Sequence, residues 1–187
     1  MLIGNKSLVD GTYFIADLAA NHDGDLERAK LLIRLAKDAG ADAVKFQHFK
    51  AKEFVSRKGF KSFGRRSHQA DWGKNIYDVY EDASIPLEWT SQLRDYCEEL
   101  SITFFSSPYG IDMINHLNQF VPAWKIGSGD INYHKQLVEV ANTGKPVILA
   151  TGASSIQEVI DSVEIVNAIT DKIVLMQCHT NYTGLDE

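Results

Sequence analysis

The stretch AWKIGSGD, residues 123–130, places Lys125 inside an apolar run with the length of a buried β-strand. A second run, DAVKFQHF at residues 42–49, places Lys45 at an equivalent point. A charged side chain in a buried strand is costly unless it is paired or has a function. A single lysine of this kind is most simply an edge residue whose ammonium reaches solvent. Two at matching points predict a common role.

Length, charge and cysteine content restrict the class of protein. The chain has 187 residues, a net charge of −6 and two cysteines. This length allows one domain with a sizeable core, and the negative charge argues against nucleic-acid binding. Two cysteines do not form a disulfide framework, and neither a signal peptide nor a membrane span is readable. We therefore expect a cytoplasmic protein that binds neither nucleic acid nor a membrane.

Six short apolar runs alternate with helical patterns along the chain. Most runs are nearly continuous in apolar residues, which is typical of parallel strands covered on both faces. Between them, one helix is expected to stop at Gly40, a second to begin at Pro86, and a third to begin with a capping box of Ser155 and Glu158. The predicted strands are residues 12–19, 42–49, 102–108, 123–129, 145–152 and 172–179.

This βαβα order fits either an open doubly wound sheet or a (β/α)8 TIM barrel. The segment after the first strand, LAANHDGD, lacks the glycine-rich turn of a nucleotide-binding sheet. Polar residues instead follow all six strands, and a barrel gathers such strand ends at one mouth. The polar residues at these ends are Asp17, Asn21, Lys45, Gln47, Ser106, Ser107, Lys125, Ser128, Thr151, His179 and Thr180.

We therefore predict a TIM barrel with six strands in sequential order, truncated after about six β/α units. A complete barrel has roughly 250 residues, whereas this chain has 187. Residues 1–187 are then one incomplete barrel domain. A six-stranded open sheet is the alternative.

Several segments together resemble the N-acetylneuraminate (sialic acid) synthase family. The resemblance implies condensation of phosphoenolpyruvate with an N-acylated amino sugar, such as N-acetylmannosamine, to a nonulosonic acid with release of phosphate. It implies a barrel followed by a small antifreeze-like domain, and a homodimer when full length. By this resemblance, we expect residues 1–187 to lack strands seven and eight of the barrel and the second domain. The segments are FIADLAANHDGDLERAKLLIRLAKDAGADAVKFQ, FFSSPYG, PAWKIGSGDINY, GKPVILATGASSIQEV and LMQCHTNYTG.

The resemblance also assigns residues to phosphoenolpyruvate, whose carboxylate and phosphate require cations and hydroxyl donors. Lys45 and Lys125 would supply the charge, and Ser107 and Ser128 the hydroxyl groups. Further contacts to substrate are implied for Asn21, Gln47, Tyr77, Asp130, Thr180 and Tyr182.

Two of these substrate contacts have structural alternatives. Asn21, together with His22, either caps the start of the first helix or contacts substrate. Asp130 either caps the helix after the fourth strand or contacts the sugar.

Asp17 is the carboxylate expected to assist the water that attacks the reaction intermediate. It stands where the family usually has glutamate, and its side chain is shorter by one carbon–carbon bond, about 1.5 Å. Asp130 also stands where glutamate is common, Ala150 replaces a frequent serine and Thr183 replaces the usual proline. These departures leave the acceptor sugar and full activity open.

The resemblance implies a divalent metal, Mn²⁺ or Mg²⁺, that polarises the sugar aldehyde in the full-length enzyme. Its histidine ligands belong to barrel strands seven and eight, so we expect no metal ligand in this chain and no activity from the isolated chain. A pair formed by His48 and His179 is a weaker alternative metal site. Cys178 is expected to be a packed thiol.

The long insertion at residues 50–83 is rich in lysine and arginine. It is either a solvated loop or a lid that draws anionic substrates to the mouth. For the whole chain, two alternatives to the synthase remain: a Schiff-base aldolase that uses Lys45 or Lys125, and an inactive truncated ligand-binding remnant.

Overall fold

The computed structural model of the protein describes residues 1–62 and 74–180. The chain divides into two compact units, and each is described by itself. One unit comprises residues 13–120, and the other comprises residues 1–12 together with the chain from residue 121 onward.

A short antiparallel hairpin opens the chain. It consists of β1 (Leu2–Ile3) and β2 (Lys6–Ser7). Ile3 is 1% exposed, which identifies the inner residue of the hairpin as part of the core. The strand periodicity of the sequence did not indicate this hairpin, because two-residue strands are too short to show alternation.

Unit 13–120 is built on a sheet of three parallel strands, β3 (Ile15–Ala19), β4 (Ala43–His48) and β5 (Thr103–Pro108). Their order in the sheet is β3–β4–β5, and both neighbouring pairs are parallel. In β4 and β5, Val44, Phe46 and Phe105 are fully buried. The nearly continuous apolar pattern of the sequence therefore reflects strands covered on both faces.

The first long helix, α1 (Leu26–Asp38), follows directly from its sequence pattern. Its buried stripe of Ala29, Ile33 and Ala36 recurs at helical spacing. Asp25 is the N-cap, because its carboxylate accepts hydrogen bonds from the first turn. Gly40 takes a φ of 87° just after the helix, as expected for a C-terminal stop.

Five further helices lie in the described part of this unit, and two predictions about them were wrong. The helix expected to begin at Pro86 begins at Trp89, because residues 86–88 form a turn in which the Trp89 amide donates to the Pro86 carbonyl at 2.9 Å. The described part of the segment interpreted as a loop, residues 50–62 and 74–83, contains three helices that are too short for a periodic signal. The helices are α2 (Ala51–Phe54), α3 (Arg57–Ser62), α4 (Ile76–Asp82), α5 (Trp89–Glu99) and α6 (Ile111–Leu117).

The second unit carries a second sheet of three parallel strands, β6 (Trp124–Ile126), β7 (Val147–Ala150) and β8 (Ile173–Met176), again in sequential order. A 3₁₀ turn at Ser128–Asp130 follows β6. Two helices connect the strands, α7 (His134–Asn142) and α8 (Ile156–Asn167). The predicted capping box of Ser155 and Glu158 is present at the start of α8.

All six strands predicted from the sequence are therefore present, and the α/β class with parallel sheets is confirmed. A barrel and a doubly wound sheet both place strands one to three, and strands four to six, beside one another. The two sheets therefore agree with either architecture. In the described part of the chain, no helix has the length and hydropathy of a membrane span.

Candidate functional site

The centre of the candidate site in unit 13–120 is an ion pair between Lys45 and Asp17. The Nζ atom of Lys45 lies 2.8 Å from Oδ1 of Asp17. Lys45 is 7% exposed, whereas the Asp17 side chain keeps 57% of its surface in solvent. A buried ammonium is stable only with a partner. The carboxylate on the neighbouring strand supplies that partner and remains reachable from solvent.

The predicted residues of this unit share one face of the sheet. His48 contacts Thr90 at the start of α5, so the face of β4 that carries His48 is the helix face. Because side chains alternate along a strand, Lys45 and Gln47 lie on the opposite face. Asp17 is the register partner of Lys45, and Ser107 is the register partner of Gln47. The fold therefore places these four side chains on one face at the carboxyl end of the sheet.

His48 is an interior residue and does not have the surroundings of a metal ligand. It is fully buried, and its two ring nitrogens contact the hydroxyl groups of Ser106 at 2.7 Å and Thr90 at 2.9 Å. Burial, reinforced by the neighbouring His116, lowers the pKa of His48 to about 3. With both nitrogens engaged by hydroxyl groups, the alternative metal pair of His48 and His179 is not supported.

Asn21 lies in the turn after β3 and does not cap the following helix. The N-cap is Asp25, so the capping alternative for Asn21 and His22 was wrong. Asn21 is exposed, and its backbone carbonyl accepts a 2.7 Å hydrogen bond from Nε of Arg28. His22 is buried, and burial lowers its pKa. The side chain of Asn21 thus stays available for the substrate contact that was predicted.

Tyr77, predicted to contact substrate, is in the first turn of α4. Its ring is covered by the guanidinium group of Arg57, which lies 3.9 Å from the ring centroid. The same guanidinium forms ion pairs with Asp78 at 3.1 Å and Glu81 at 3.8 Å. Arg57 therefore lies over the Tyr77 ring and at the same time pairs with two carboxylates of α4. The spacing of these residues in the sequence did not indicate the contacts of Arg57.

In the second unit, Lys125, Ser128 and Asp130 are brought close together along the chain at the end of β6. Lys125 is half-buried, and its Nζ donates to the carbonyl of Ile126 at 2.9 Å. Burial raises the pKa of the Asp130 carboxyl, and the nearby positive charge of Lys125 opposes that rise. Asp130 does not cap α7, whose N-cap residue Tyr133 makes no capping hydrogen bond through its side chain.

The chain segments that follow β7 and β8 approach each other closely at Gly152 and Cys178. A Cβ atom at Gly152 would overlap the carbonyl oxygen of Cys178 and would lie 2.6 Å from its Sγ. Cys178 therefore lies against Gly152, and its exposure is intermediate. Thr180 is exposed, and Tyr182 lies outside the described residues.

The described residues provide no metal site. Across residues 1–62 and 74–180, no three His, Cys, Asp or Glu side chains lie close enough together to hold a metal ion. Divalent-metal sites need at least that many protein ligands or substrate groups in their place. The residues described here therefore do not fit the expected Mn²⁺ or Mg²⁺.

The structure thus assembles two groups of predicted residues, one in each unit. Asp17, Lys45, Gln47 and Ser107 form the first, and residues 125–130 form the second. The pairing of Lys45 with Lys125 on one substrate stays a prediction. The interior contacts of His48 were missed, since no spacing in the sequence distinguishes a buried histidine from a ligand.

Comparisons with known proteins place the chain in one family. The NeuB family model matches residues 32–186. Pseudaminic acid synthase of Campylobacter jejuni is 33% identical over 184 residues, which cover 97% of the chain and 53% of that protein. N-acetylneuraminate-9-phosphate synthase of Homo sapiens is 31% identical over 173 residues, 91% of the chain and 47% of that protein. The chain spans about half the length of the curated relatives it matches.

A solved structure supports the same assignment. The N-acetylneuraminic acid (sialic acid) synthetase of Leptospira borgpetersenii, crystallised with citrate, matches with a TM-score of 0.77 and 28% identity, over 92% of the chain and 56% of that structure. It is of the TIM-barrel type, which favours the predicted barrel over a doubly wound sheet. The match of the family model over most of the chain confirms the resemblance drawn from the sequence, and the protein belongs to the NeuB family.

Proposed function

We propose that this chain is part of a nonulosonic acid synthase that condenses phosphoenolpyruvate with an N-acylated amino sugar and releases phosphate. The names of the relatives support a synthase of this class. The observation that carries the proposal is the buried Lys45, paired with Asp17 on the face that also holds Gln47 and Ser107. A fixed cation beside hydroxyl and amide groups suits a small substrate with two anionic groups.

Phosphoenolpyruvate binding is assigned to both lysines. Lys45 and Ser107 would contact one anionic group of the substrate, and Lys125 and Ser128 the other. Because Asp17 already balances the charge of Lys45, the ammonium is held in place before substrate arrives. Such preorganisation reduces the entropy lost on binding.

In the reaction, the electron pair of the C2=C3 double bond of phosphoenolpyruvate forms a bond from C3 to the aldehyde carbon of the open-chain sugar, the aldehyde oxygen takes up a proton from solvent, and C2 is left cationic. Water then adds its oxygen to C2 and gives up one proton, the C2–O bond to phosphate breaks, and loss of the remaining hydroxyl proton leaves the C2 ketone. Asp17 is placed to orient that water and to accept its proton, since its carboxylate is the solvent-accessible partner of Lys45. No step here is assigned to a metal, because the described residues do not fit one.

Further contacts to the two substrates are assigned to the other predicted polar residues, and Asp130 is assigned to the sugar. N-acetylmannosamine and bacterial diamino sugars would make similar contacts, so the proposal names the class of acceptor. We further propose a cytoplasmic homodimer, with the ligands of a divalent metal outside the part of the chain described here. The proposed further substrate contacts are Asn21, Gln47, Tyr77, Asp130, Thr180 and Tyr182.

The proposal is tested by calorimetric titration of the purified protein with phosphoenolpyruvate. We expect Lys45→Met to abolish measurable binding, because the substrate loses a charge-assisted contact. The matched control is Lys30→Met, which removes a surface lysine paired with Glu27 at 2.9 Å and should leave binding unchanged. Equal affinity of the Lys45→Met and wild-type proteins would contradict the proposal.

Chemical trapping separates the synthase from the Schiff-base aldolase. Borohydride added with pyruvate reduces a lysine imine to a stable adduct, and mass spectrometry locates it. We expect no adduct at Lys45 or Lys125. An adduct at either lysine would replace the synthase with the aldolase.

A further inference from the structure

A buried chain of hydrogen bonds lies on the helix face of the sheet in unit 13–120. It runs from the hydroxyl group of Ser106 on β5 to Nδ1 of His48 on β4, at 2.7 Å. It continues from Nε2 of His48 to the hydroxyl group of Thr90 on α5, and from there to Nε2 of His116 on α6, at 2.9 Å each. We call these four residues the histidine relay.

The histidine relay is an interior feature for three of its four members. Ser106, His48 and Thr90 are each 0% exposed, and His116 is half-buried. A buried polar group that loses its partner has no water to replace it. Each link of the relay therefore depends on the next, and removing one hydroxyl group leaves a histidine nitrogen without its hydrogen bond.

The relay lies directly behind the candidate site. His48 follows Gln47 in β4, and Ser106 precedes Ser107 in β5, so the relay residues and the site residues alternate along the same two strands. Gln47 and Ser107 are register partners on the opposite face. The contact of His48 with Ser106 therefore fastens together the strand ends that present the two site residues.

The chemistry of the relay allows one proton arrangement at a time. A neutral imidazole has one N–H donor and one acceptor nitrogen, and each hydroxyl group donates one hydrogen. Either Ser106 donates to His48, His48 to Thr90 and Thr90 to His116, or all three bonds run the opposite way. Because burial lowers the pKa of His48 to about 3, the ring is neutral near pH 7 and one of these two arrangements holds it.

We propose that His48 is a positioning residue for the phosphoenolpyruvate site, held in place by its hydrogen bond to Thr90 and acting through Ser106 on the ends of β4 and β5. This inference rests on the proposed function, since it assigns the relay to the site formed by Lys45, Gln47 and Ser107. His48 does not touch substrate in this account. It fixes the spacing of the two strand ends to which Gln47 and Ser107 belong.

The test compares Thr90→Val with Thr90→Ser in the purified protein. Valine matches threonine in shape and lacks the hydroxyl group, whereas serine keeps it. We expect Thr90→Val to raise the dissociation constant for phosphoenolpyruvate roughly threefold to tenfold, the effect of one hydrogen bond, and Thr90→Ser to bind close to wild type. Nitrogen-15 NMR of the histidine rings should show one tautomer of His48 in wild type and in Thr90→Ser, and altered ring shifts in Thr90→Val.

Thr143→Val is the control for the loss of a half-buried, hydrogen-bonded hydroxyl group elsewhere. The Thr143 hydroxyl accepts from Nε1 of Trp124 at 2.8 Å, near the amino end of β7 and in the other unit. This variant should lose thermal stability and keep wild-type affinity for phosphoenolpyruvate. Circular dichroism of each variant at the titration temperature verifies that the fold persists.

Each outcome has a separate meaning. Weaker binding in Thr90→Val with altered His48 shifts supports the positioning role. Wild-type affinity in Thr90→Val, with wild type binding normally, overturns the positioning role and leaves the proposed function intact. A wild-type protein that shows no binding of phosphoenolpyruvate overturns the proposed function, and the positioning role with it.

Discussion

The two three-stranded sheets carry their lysines in different surroundings. In β3–β5, Lys45 is almost fully buried and pairs with a carboxylate on the neighbouring strand. In β6–β8, Lys125 is half-buried and donates to the backbone carbonyl of the next residue. A lysine within an apolar run is thus found in two settings. The Lys45 ammonium pairs with a carboxylate on the neighbouring strand, and the Lys125 ammonium donates to a carbonyl of its own strand. We therefore expect the Lys45 ammonium to be sensitive to loss of Asp17, whereas the Lys125 ammonium is oriented by the carbonyl of Ile126.

The largest expected effect comes from removing either lysine. In the full-length protein, Lys45→Met and Lys125→Met should each abolish phosphate release from phosphoenolpyruvate, because each removes a fixed positive charge from the substrate. Stability should change little, because the Asp17 carboxylate that loses Lys45 is 57% exposed and can be hydrated, and Lys125 is only half-buried. A phosphate-release assay beside thermal unfolding measures both. Normal turnover in one variant would show that the reaction needs only the lysine of the other sheet.

Asp17 gives the next largest expected effect, because it pairs with Lys45 across two strands of one sheet. Asp17→Asn should lower kcat by ~10²–10⁴, the range of acid–base assistance. It should also reduce stability, because the buried Lys45 loses its counter-charge. Asp17→Glu should retain activity. Steady-state kinetics and urea unfolding of the two variants provide the measurement, and an unchanged kcat in Asp17→Asn would reduce Asp17 to a structural residue.

A packing change in the second unit should affect stability only. Gly152→Ala introduces a Cβ that overlaps the Cys178 carbonyl, and overpacking of this kind costs about 1–3 kcal/mol. Gly129→Ala is the matched control, because a Cβ at Gly129 meets no atom within 4 Å. Urea unfolding should show a lower midpoint for Gly152→Ala and a wild-type midpoint for Gly129→Ala. Equal midpoints would show that the ends of β7 and β8 adjust freely.

Acid should act first on unit 13–120, through His48. Its folded pKa of about 3 lies below the ordinary value of 6.5, so the unfolded chain binds a proton that the folded chain does not. Stability is complete above pH 6.5 and falls as the pH drops toward 3, by about 1 kcal/mol between pH 6.5 and 5.5. In the other unit, His134 and His179 are exposed.

Hydrogen exchange followed by mass spectrometry measures this prediction region by region. Amides of β4 and β5 should lose protection at pH 5.5, after correction for intrinsic exchange rates, before those of β7. His48→Asn should reduce the difference. Uniform loss of protection in both units would contradict the assignment to His48.

Much of the fold was predictable because the signals are local. Continuous apolar runs gave all six strands of the two parallel sheets, and Ser155 with Glu158 gave a helix start. The helix expected at Pro86 began three residues later, since a turn with a backbone hydrogen bond competes with the first helical turn. The short helices at residues 51–62 and 76–82 carry too few turns for a periodic pattern to appear.

The residues of the candidate site could be predicted from the sequence, but most of the contacts between them could not. Lys45 stood out because a charge in an apolar run is unusual, and its partner Asp17 was singled out for a catalytic reason. The ion pair itself depends on the register of two strands, which the sequence does not state. The interior role of His48 depends on hydroxyl groups 42 and 58 residues away along the chain, and no local pattern predicts such contacts.

The central claim is that Lys45 and Lys125 bind one molecule of phosphoenolpyruvate. A crystal structure of the full-length protein with phosphoenolpyruvate tests it most directly. We expect one substrate molecule with both Nζ atoms at charge-assisted hydrogen-bond distance, about 3 Å, from its carboxylate or phosphate oxygens. A substrate bound by only one of the lysines, or lysines that face separate cavities, would contradict it.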